Sequence, residues 1–250
     1  MVKAFGSSET GPVRHMNEDC FVSAEELGLF VVADGMGGHA AGEVAARVAV
    51  ESIENFIRRS QETTDHSWPY GIDPALSYEA NRLKTAVCLA NRRINRLAEN
   101  HDDYLGMGTT VVSALVCDGQ LIVAHVGDSR LYVCAGNELI QLTQDDSWAA
   151  TVLGSKEANS GSHATRHVLT NVLGARPDTQ VHLFERELLG EETLLLCSDG
   201  LHGSVPHDAL RDVMVSNQEL PALVQSLIST ALEHRSRDNI TALVVRCSRR

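Results

Sequence analysis

Apolar runs in this chain end on acids. LFVVADGMGGH places Asp34 at the end of one run, IVAHVGDSR places Asp128 after a second, and TLLLCSDGL places Asp199 after a third. A fourth acid, Asp238 in SRDNITALVV, stands just ahead of another apolar run. Runs of this length and composition read as buried strands, so their ends lie within a folded core. Bare carboxylates brought together there at about 4 Å repel by roughly 4 kcal/mol per pair at an effective dielectric near 20. A divalent cation removes that penalty. Oxygen ligands of this kind favour Mg²⁺ or Mn²⁺ over Zn²⁺.

The chain has 250 residues, 43% of them hydrophobic, which is enough to bury a full core. No linker or low-complexity tract divides it, so a single domain over residues 1–250 is expected. No stretch approaches the roughly 20 apolar residues of a membrane span, and MVKAFGSSETG carries no apolar segment of signal-peptide length. The expectation is a cytoplasmic protein with no membrane partner. A net charge of −12 argues against a nucleic-acid backbone as the main partner. It does not exclude a phosphorylated substrate, because bound cations reverse the local field. The six cysteines form no CxxC pair and fall mostly in apolar segments, as reduced buried thiols do.

Residues 19–34 read as two strands joined by a turn at Glu25 to Gly28. Ala40 to Arg59 and Pro74 to Glu99 carry helical periodicity; the arginines and lysine of the second make a solvated outer face. Short β-branched runs follow at Thr110–Cys117, Leu121–Val126, Leu131–Cys134 and Leu139–Leu142, with Asp118-Gly119 as a hairpin signal. Residues 145–166 are irregular and rich in Ser, Gly, Ala and His. Strands at Val181–Glu185 and Thr193–Cys197, helices near Pro206–Val215 and Leu220–Arg235, and a strand at Ile240–Arg246 complete the chain. Helices are segregated from strands. That disfavours a doubly wound sheet and favours an α+β fold of stacked antiparallel sheets with helix pairs outside.

Gly35-Met36-Gly37-Gly38-His39-Ala40 satisfies a GxGxxA dinucleotide pattern on its face. Electrostatics disfavour that reading, since a pyrophosphate on this helix terminus would meet Asp34 and Glu43, and no regular βαβ unit surrounds it. No GK[ST] closes a phosphate loop. A metal site explains Asp34 better, with the Gly35 carbonyl as a further hard ligand. RHMNED offers Arg14 to bind a phosphate bidentately and Glu18 to orient a metal-bound water. His39, beside the metal loop, is the histidine best placed for a functional role. Ser129 and Ser198 lack a GxSxG elbow, so a serine nucleophile is not expected.

Taken together and in order, RHMNED, VVADGMGGHAAGE, MGTT, AHVGDSRLY, LTQDDSW, HVLTNVLGA, LLLCSDGL and RDNITALVV resemble the metal-dependent protein phosphatases, the phosphatase 2C-like family, in its compact bacterial form. The resemblance spans essentially the whole chain. It implies a four-layer α/β/β/α sandwich. It also implies hydrolysis of phosphoserine and phosphothreonine in proteins by two Mn²⁺ or Mg²⁺ ions that activate a bridging water. On this resemblance Asp34 bridges the ions, the Gly35 carbonyl completes one sphere, and Asp199 and Asp238 hold the other ion. Glu18 contacts metal-bound water, Arg14 binds the phosphate, and Asp128 belongs to a third, weaker site. The partners implied are phosphorylated proteins, with a serine/threonine kinase and its targets first among them. Met36 stands where eukaryotic relatives carry a histidine, which leaves the proton donor open between His39 and a metal-bound water. A catalytically weak phosphoprotein-binding module on the same fold is the alternative.

The chain departs from the family pattern in places. Gly203 replaces the acid that helps hold the third metal, so the expectation there is weak or absent occupancy, or else a replacement ligand such as His202. Residue 146 is Asp where LTxDHS has His. The resemblance implies a flap beside the active site around 145–166, and within it the stretch from Ser147 to His163 is a few residues shorter than the family pattern.

Overall fold

A computed structural model describes residues 2–38, 41–62, 68–153 and 168–248. The strands are β1 (Val2–Glu9), β2 (Asp19–Ala24), β3 (Leu29–Met36), β4 (Gly108–Thr109), β5 (Val111–Cys117), β6 (Gln120–Val126), β7 (Arg130–Ala135), β8 (Glu138–Gln141), β9 (His182–Glu187), β10 (Glu192–Cys197) and β11 (Ile240–Cys247). The helices are α1 (Ala41–Glu62), α2 (Tyr78–Asn100), α3 (Trp148–Leu153), α4 (Asp199–His202), α5 (His207–Met214) and α6 (Leu220–Glu233).

Two antiparallel sheets result. One runs β1-β11-β10-β7-β8; the other runs β2-β3-β5-β6-β9, with β4 paired to β3. Period-two alternation distributes each central strand between two cores. In β3, Phe30 and Val32 face the other sheet, where they meet Leu131, Leu196 and Leu243. Leu29, Val31 and Ala33 face outward and pack under α1 and α2 with Ile53, Ile57, Leu83 and Ile94. Leu195, Cys197 and Val244 pack under α5 and α6 with Leu210, Leu223 and Leu227. The layers are therefore helices, sheet, sheet, helices, as the segregated element order requires.

One helix start and one unexpected strand have clear local causes. Helix α2 begins at Tyr78, because the Ser77 hydroxyl accepts the Ala80 N–H at 3.1 Å and caps the helix there. Strand β1 has no apolar run to announce it. VKAFGSSE is an edge segment held by an eight-residue register from Val2–Cys247 to Glu9–Ile240. Of the 145–166 segment, the described part includes α3; residues 154–166 lie outside the described residues.

Candidate metal centre

Asp34 sits near the end of β3, directly opposite Asp19 of β2. Its backbone is fixed on the other side by β4 and β5: its N–H donates to Thr110 Oγ1 at 3.2 Å, and its carbonyl accepts from the Thr110 N–H at 2.9 Å and from Thr109 Oγ1 at 2.8 Å. Thr110 Oγ1 also lies 2.7 Å from Ser129 Oγ, the residue after Asp128. One hydroxyl thus couples the strand end carrying Asp34 to the turn carrying Asp128.

Gly35 is wedged where no side chain fits. A Cβ there would lie deep inside contact with the Gly42 carbonyl in the first turn of α1 and 2.7 Å from the Glu18 carbonyl. The Gly35 N–H donates to that Glu18 carbonyl at 3.1 Å. Gly200, after Asp199, is wedged likewise against the Asn239 carbonyl. Close backbone approach, more than turn geometry, explains the glycine that follows each of these two acids.

Asn239 organises the segment bearing Arg14 and Glu18. Its Oδ1 accepts the Glu18 N–H at 2.9 Å, and its amide donates to the carbonyls of Thr10 and Met16, each at 2.9 Å. The residue is buried. Asn239→Ala is expected to cost about 2–4 kcal/mol, from lost hydrogen bonds at about 1 kcal/mol each and buried carbonyls left unmet. Thermal unfolding measures this; a melting temperature equal to wild type contradicts it.

These supports bring Arg14, Glu18, Asp34, Gly35, Asp128, Asp199 and Asp238 to the wall of one cavity of about 660 Å³. His39 lies outside the described residues. Gly203 lines the same cavity. His202 is not among its lining residues: its Nε2 donates to the Asp128 carbonyl at 3.0 Å, and burial lowers its pKa to about 4. The ring is thus committed to a backbone group. Asp146, the other departure, is a structural hub. It accepts from the Gly127 N–H at 3.0 Å and the Asn171 amide at 2.9 Å, and its other oxygen is 2.8 Å from His182 Nε2.

The electrostatics are those of a site short of positive charge. Burial, and then the charges of Asp19, Asp199, Asp128 and Asp238, raise the Asp34 carboxyl well above the ordinary range. Burial is also the main force raising Glu18, whose Oε1 is buried without a hydrogen-bond partner. Asp19 is raised to about 7, again chiefly by burial; the hydroxyls of Thr241 at 2.6 Å and Ser198 at 2.7 Å oppose the shift, and its Oδ1 is left unmet. The cation nearest to balancing this set is Arg14, whose Nη2 is 2.6 Å from Asp238 Oδ2. Asp238 is thereby turned toward Arg14, and among the described residues no three acid, His or Cys side chains are drawn in around a single ion position. Hard oxygen donors, mutual repulsion and the orphaned oxygens of Glu18 and Asp19 fit hard divalent cations.

The sequence reading missed Asp19, Thr110 and Asn239. Asp19 was hidden beside Glu18 in RHMNED, and its opposition to Asp34 is a matter of strand register. Arg235 and Arg237, which line the cavity rim, carry no motif signal beyond their nearness to Asp238.

Comparison with known proteins gives a consistent picture. Residues 15–243 match the protein phosphatase 2C family profile. The serine/threonine phosphatase Stp of Listeria welshimeri is 34% identical over 244 residues, covering 95% of this chain and 93% of that one. The crystal structure of the Mycobacterium tuberculosis serine/threonine phosphatase PstP superposes with a TM-score of 0.84 at 30% identity, over 99% of each chain. The catalytic domain of PstP in complex with two manganese ions gives a TM-score of 0.82 at 29% identity, again over 99% of each chain.

Proposed function

The chain belongs to the protein phosphatase 2C family, and from that premise we propose that residues 1–250 form one catalytic domain that hydrolyses phosphoserine and phosphothreonine in proteins with two Mn²⁺ or Mg²⁺ ions. The observation that carries this reading is the convergence of Arg14, Glu18, Asp34, Asp128, Asp199 and Asp238 on one cavity. Asp34, the Gly35 carbonyl, Asp199 and Asp238 would hold the two ions. Asp128 serves a third site, left weak by Gly203. Bound ions supply Lewis acidity and a lowered pKa for water.

The chain's own residues do the remaining work. Glu18, raised by burial and placed against α1, accepts or orients a water proton. Arg14 is held at the mouth by Asp238, where its guanidinium fork would meet the equatorial oxygens of a phosphate. Thr110 and Ser129 hold the β3 end bearing Asp34 and the turn bearing Asp128 in fixed relation, which keeps the reacting geometry pre-organised. His39 stands in the proposal beside the phosphate, without a contact assigned to it. A serine/threonine kinase and its phosphorylated targets are the proposed partners. The proposed setting is the reducing cytoplasm, in keeping with six free cysteines, among them Cys197, which burial raises to about 12.

The test is Mn²⁺-dependent release of phosphate from a phosphothreonine peptide; wild-type release surviving Asp199→Ala would overturn the proposal. Arg14→Ala is expected to lower kcat/KM by roughly 10- to 150-fold, the equivalent of about 1.5–3 kcal/mol for a charged hydrogen bond. Arg14→Lys should recover only part of this, since an ammonium cannot make the bidentate contact. Equal kinetics in all three proteins would remove Arg14 from the phosphate site. A binding module without catalysis would instead show phosphopeptide affinity with no turnover at saturating manganese.

A further inference from the structure

The outer face of the α1–α2 pair carries a second cavity, of about 520 Å³, lined by Arg59 from α1 and by Arg92, Arg93 and Arg96 from α2. All four arginines are exposed. Half-buried Phe56 and Leu97 lie between them and give the groove an apolar floor. On the sequence alone these arginines read as a solvated helix face, and two ordinary explanations account for such a face. One is intrahelical pairing with an acid three or four residues away, which this chain uses elsewhere: Arg47 with Glu43, Arg58 with Glu54, Arg82 with Glu79 and Arg211 with Asp208. Among the described residues, Arg92, Arg93 and Arg96 make no such pair, and Arg93 Nη1 reaches only the Ser52 hydroxyl, at 3.2 Å. The other is compensation of the helix dipole, which acts in the last turn. Arg59 stands in the last turn of α1 and is covered by it; the last turn of α2 contains no basic residue, so Arg92, Arg93 and Arg96 are not.

A chain with net charge −12 thus gathers mutually repelling guanidinium groups along one groove. An anion laid in the groove relieves that repulsion. Guanidinium forks match carboxylate and phosphate oxygens bidentately, and the apolar floor takes a side chain between them. Nucleic acid suits the groove less, since the remaining surface of so acidic a chain repels a long polyanion. We propose that this groove is a docking site for an acidic segment of the phosphoprotein substrate, separate from the phosphate being removed. The identity of the occupant as substrate rests on the proposed phosphatase activity; the groove's affinity for an acidic peptide does not.

The fold sets the spacing. Gly35 abuts the first turn of α1, and the groove residues of α1, Ser52 to Arg59, lie 11 to 18 residues beyond Ala41. At about 1.5 Å per residue that is roughly 16–27 Å from the candidate metal centre. An extended peptide rising about 3.3 Å per residue covers this in about five to eight residues. A substrate with acids that far from its phosphothreonine engages both sites at once, and the second contact raises its effective concentration at the first.

The experiment compares two phosphothreonine peptides with wild-type protein and manganese: one bearing a Glu-rich segment six residues from the phosphothreonine, the other with Gln in its place. The acidic peptide is expected to have a KM about tenfold lower, with kcat unchanged. That advantage should vanish in Arg92→Glu/Arg96→Glu, in Arg92→Gln/Arg96→Gln and in 1 M salt, where the screening length falls to about 3 Å. The Gln peptide should be processed equally by all three proteins, which also shows the variants folded. Equal KM for the two peptides in wild type overturns the proposal. Fluorescence anisotropy of a labelled Glu-rich peptide without phosphothreonine reads the groove independently of turnover. If it binds wild type but not the variants while no peptide is hydrolysed, docking stands and the catalytic reading fails. If a single-stranded RNA or a vesicle of anionic lipid binds through the same arginines and the acidic peptide does not, the occupant is wrong and the proposal falls.

Discussion

Asn in place of Asp34 is expected to reduce manganese-dependent phosphate release by about a thousandfold or more and, in metal-free protein, to raise the melting temperature. The second half follows from the sign of the pKa shift. Burial and four surrounding acids raise the folded Asp34 carboxyl well above its ordinary value. An acid raised by folding binds its proton more tightly in the native state, so stability falls as pH climbs from the unfolded value, near 4, through the folded one. Asp34→Asn removes that loss. Its advantage over wild type should be absent below about pH 4, grow as pH rises, and level off once the native carboxyl has ionised. Manganese should reverse the order. Wild type gains about 2.7 kcal/mol at a metal concentration one hundred times its Kd, and the variant gains little. Melting curves across pH, with and without manganese, test both halves. An equal manganese shift in the two proteins would show that Asp34 does not hold the ion.

Much of this site is legible in the sequence because its acids sit at strand ends, where an apolar run gives both the strand and the side at which it stops. Asp34, Asp199 and Asp238 are visible that way. Segregation of helices from strands likewise gives the stacked-sheet class. Three-dimensional register is not visible. Asp19 faces Asp34 because β2 and β3 pair in one register and no other, and nothing local in RHMNED states it. Asn239 looks like a turn residue, yet it binds the Glu18 segment from 221 positions away. β1 is a strand because β11 offers it an edge; its own composition argues little. The arginines of α2 look like surface in one dimension and become a groove only when α1 supplies Arg59 and Phe56 opposite them.

The glycines after Asp34 invite the sharpest contrast, since the same segment can be read as a flexible nucleotide loop or as a rigid packing joint. Flexibility predicts similar costs for alanine at Gly35 and Gly38. Packing predicts very different ones. A Cβ at Gly35 would press on the Gly42 and Glu18 carbonyls, whereas a Cβ at Gly38 meets nothing within 4 Å. Backbone atoms of β3, α1 and the Glu18 segment cannot rotate away as a side chain would. Gly35→Ala should therefore exceed the usual overpacking cost and reach about 3 kcal/mol or more. For a chain of this size that is a melting-temperature drop of roughly 6–12 °C. Gly38→Ala should stay within about 0.5 kcal/mol of wild type. The damage at Gly35 also lands on function, because the strained atoms are the neighbours of Asp34 and Glu18. Manganese affinity should fall with stability in Gly35→Ala and hold in Gly38→Ala. Equal melting temperatures and equal manganese titrations for the two variants would mean that the joint between β3 and α1 yields, and that the close backbone approach does not hold the centre together.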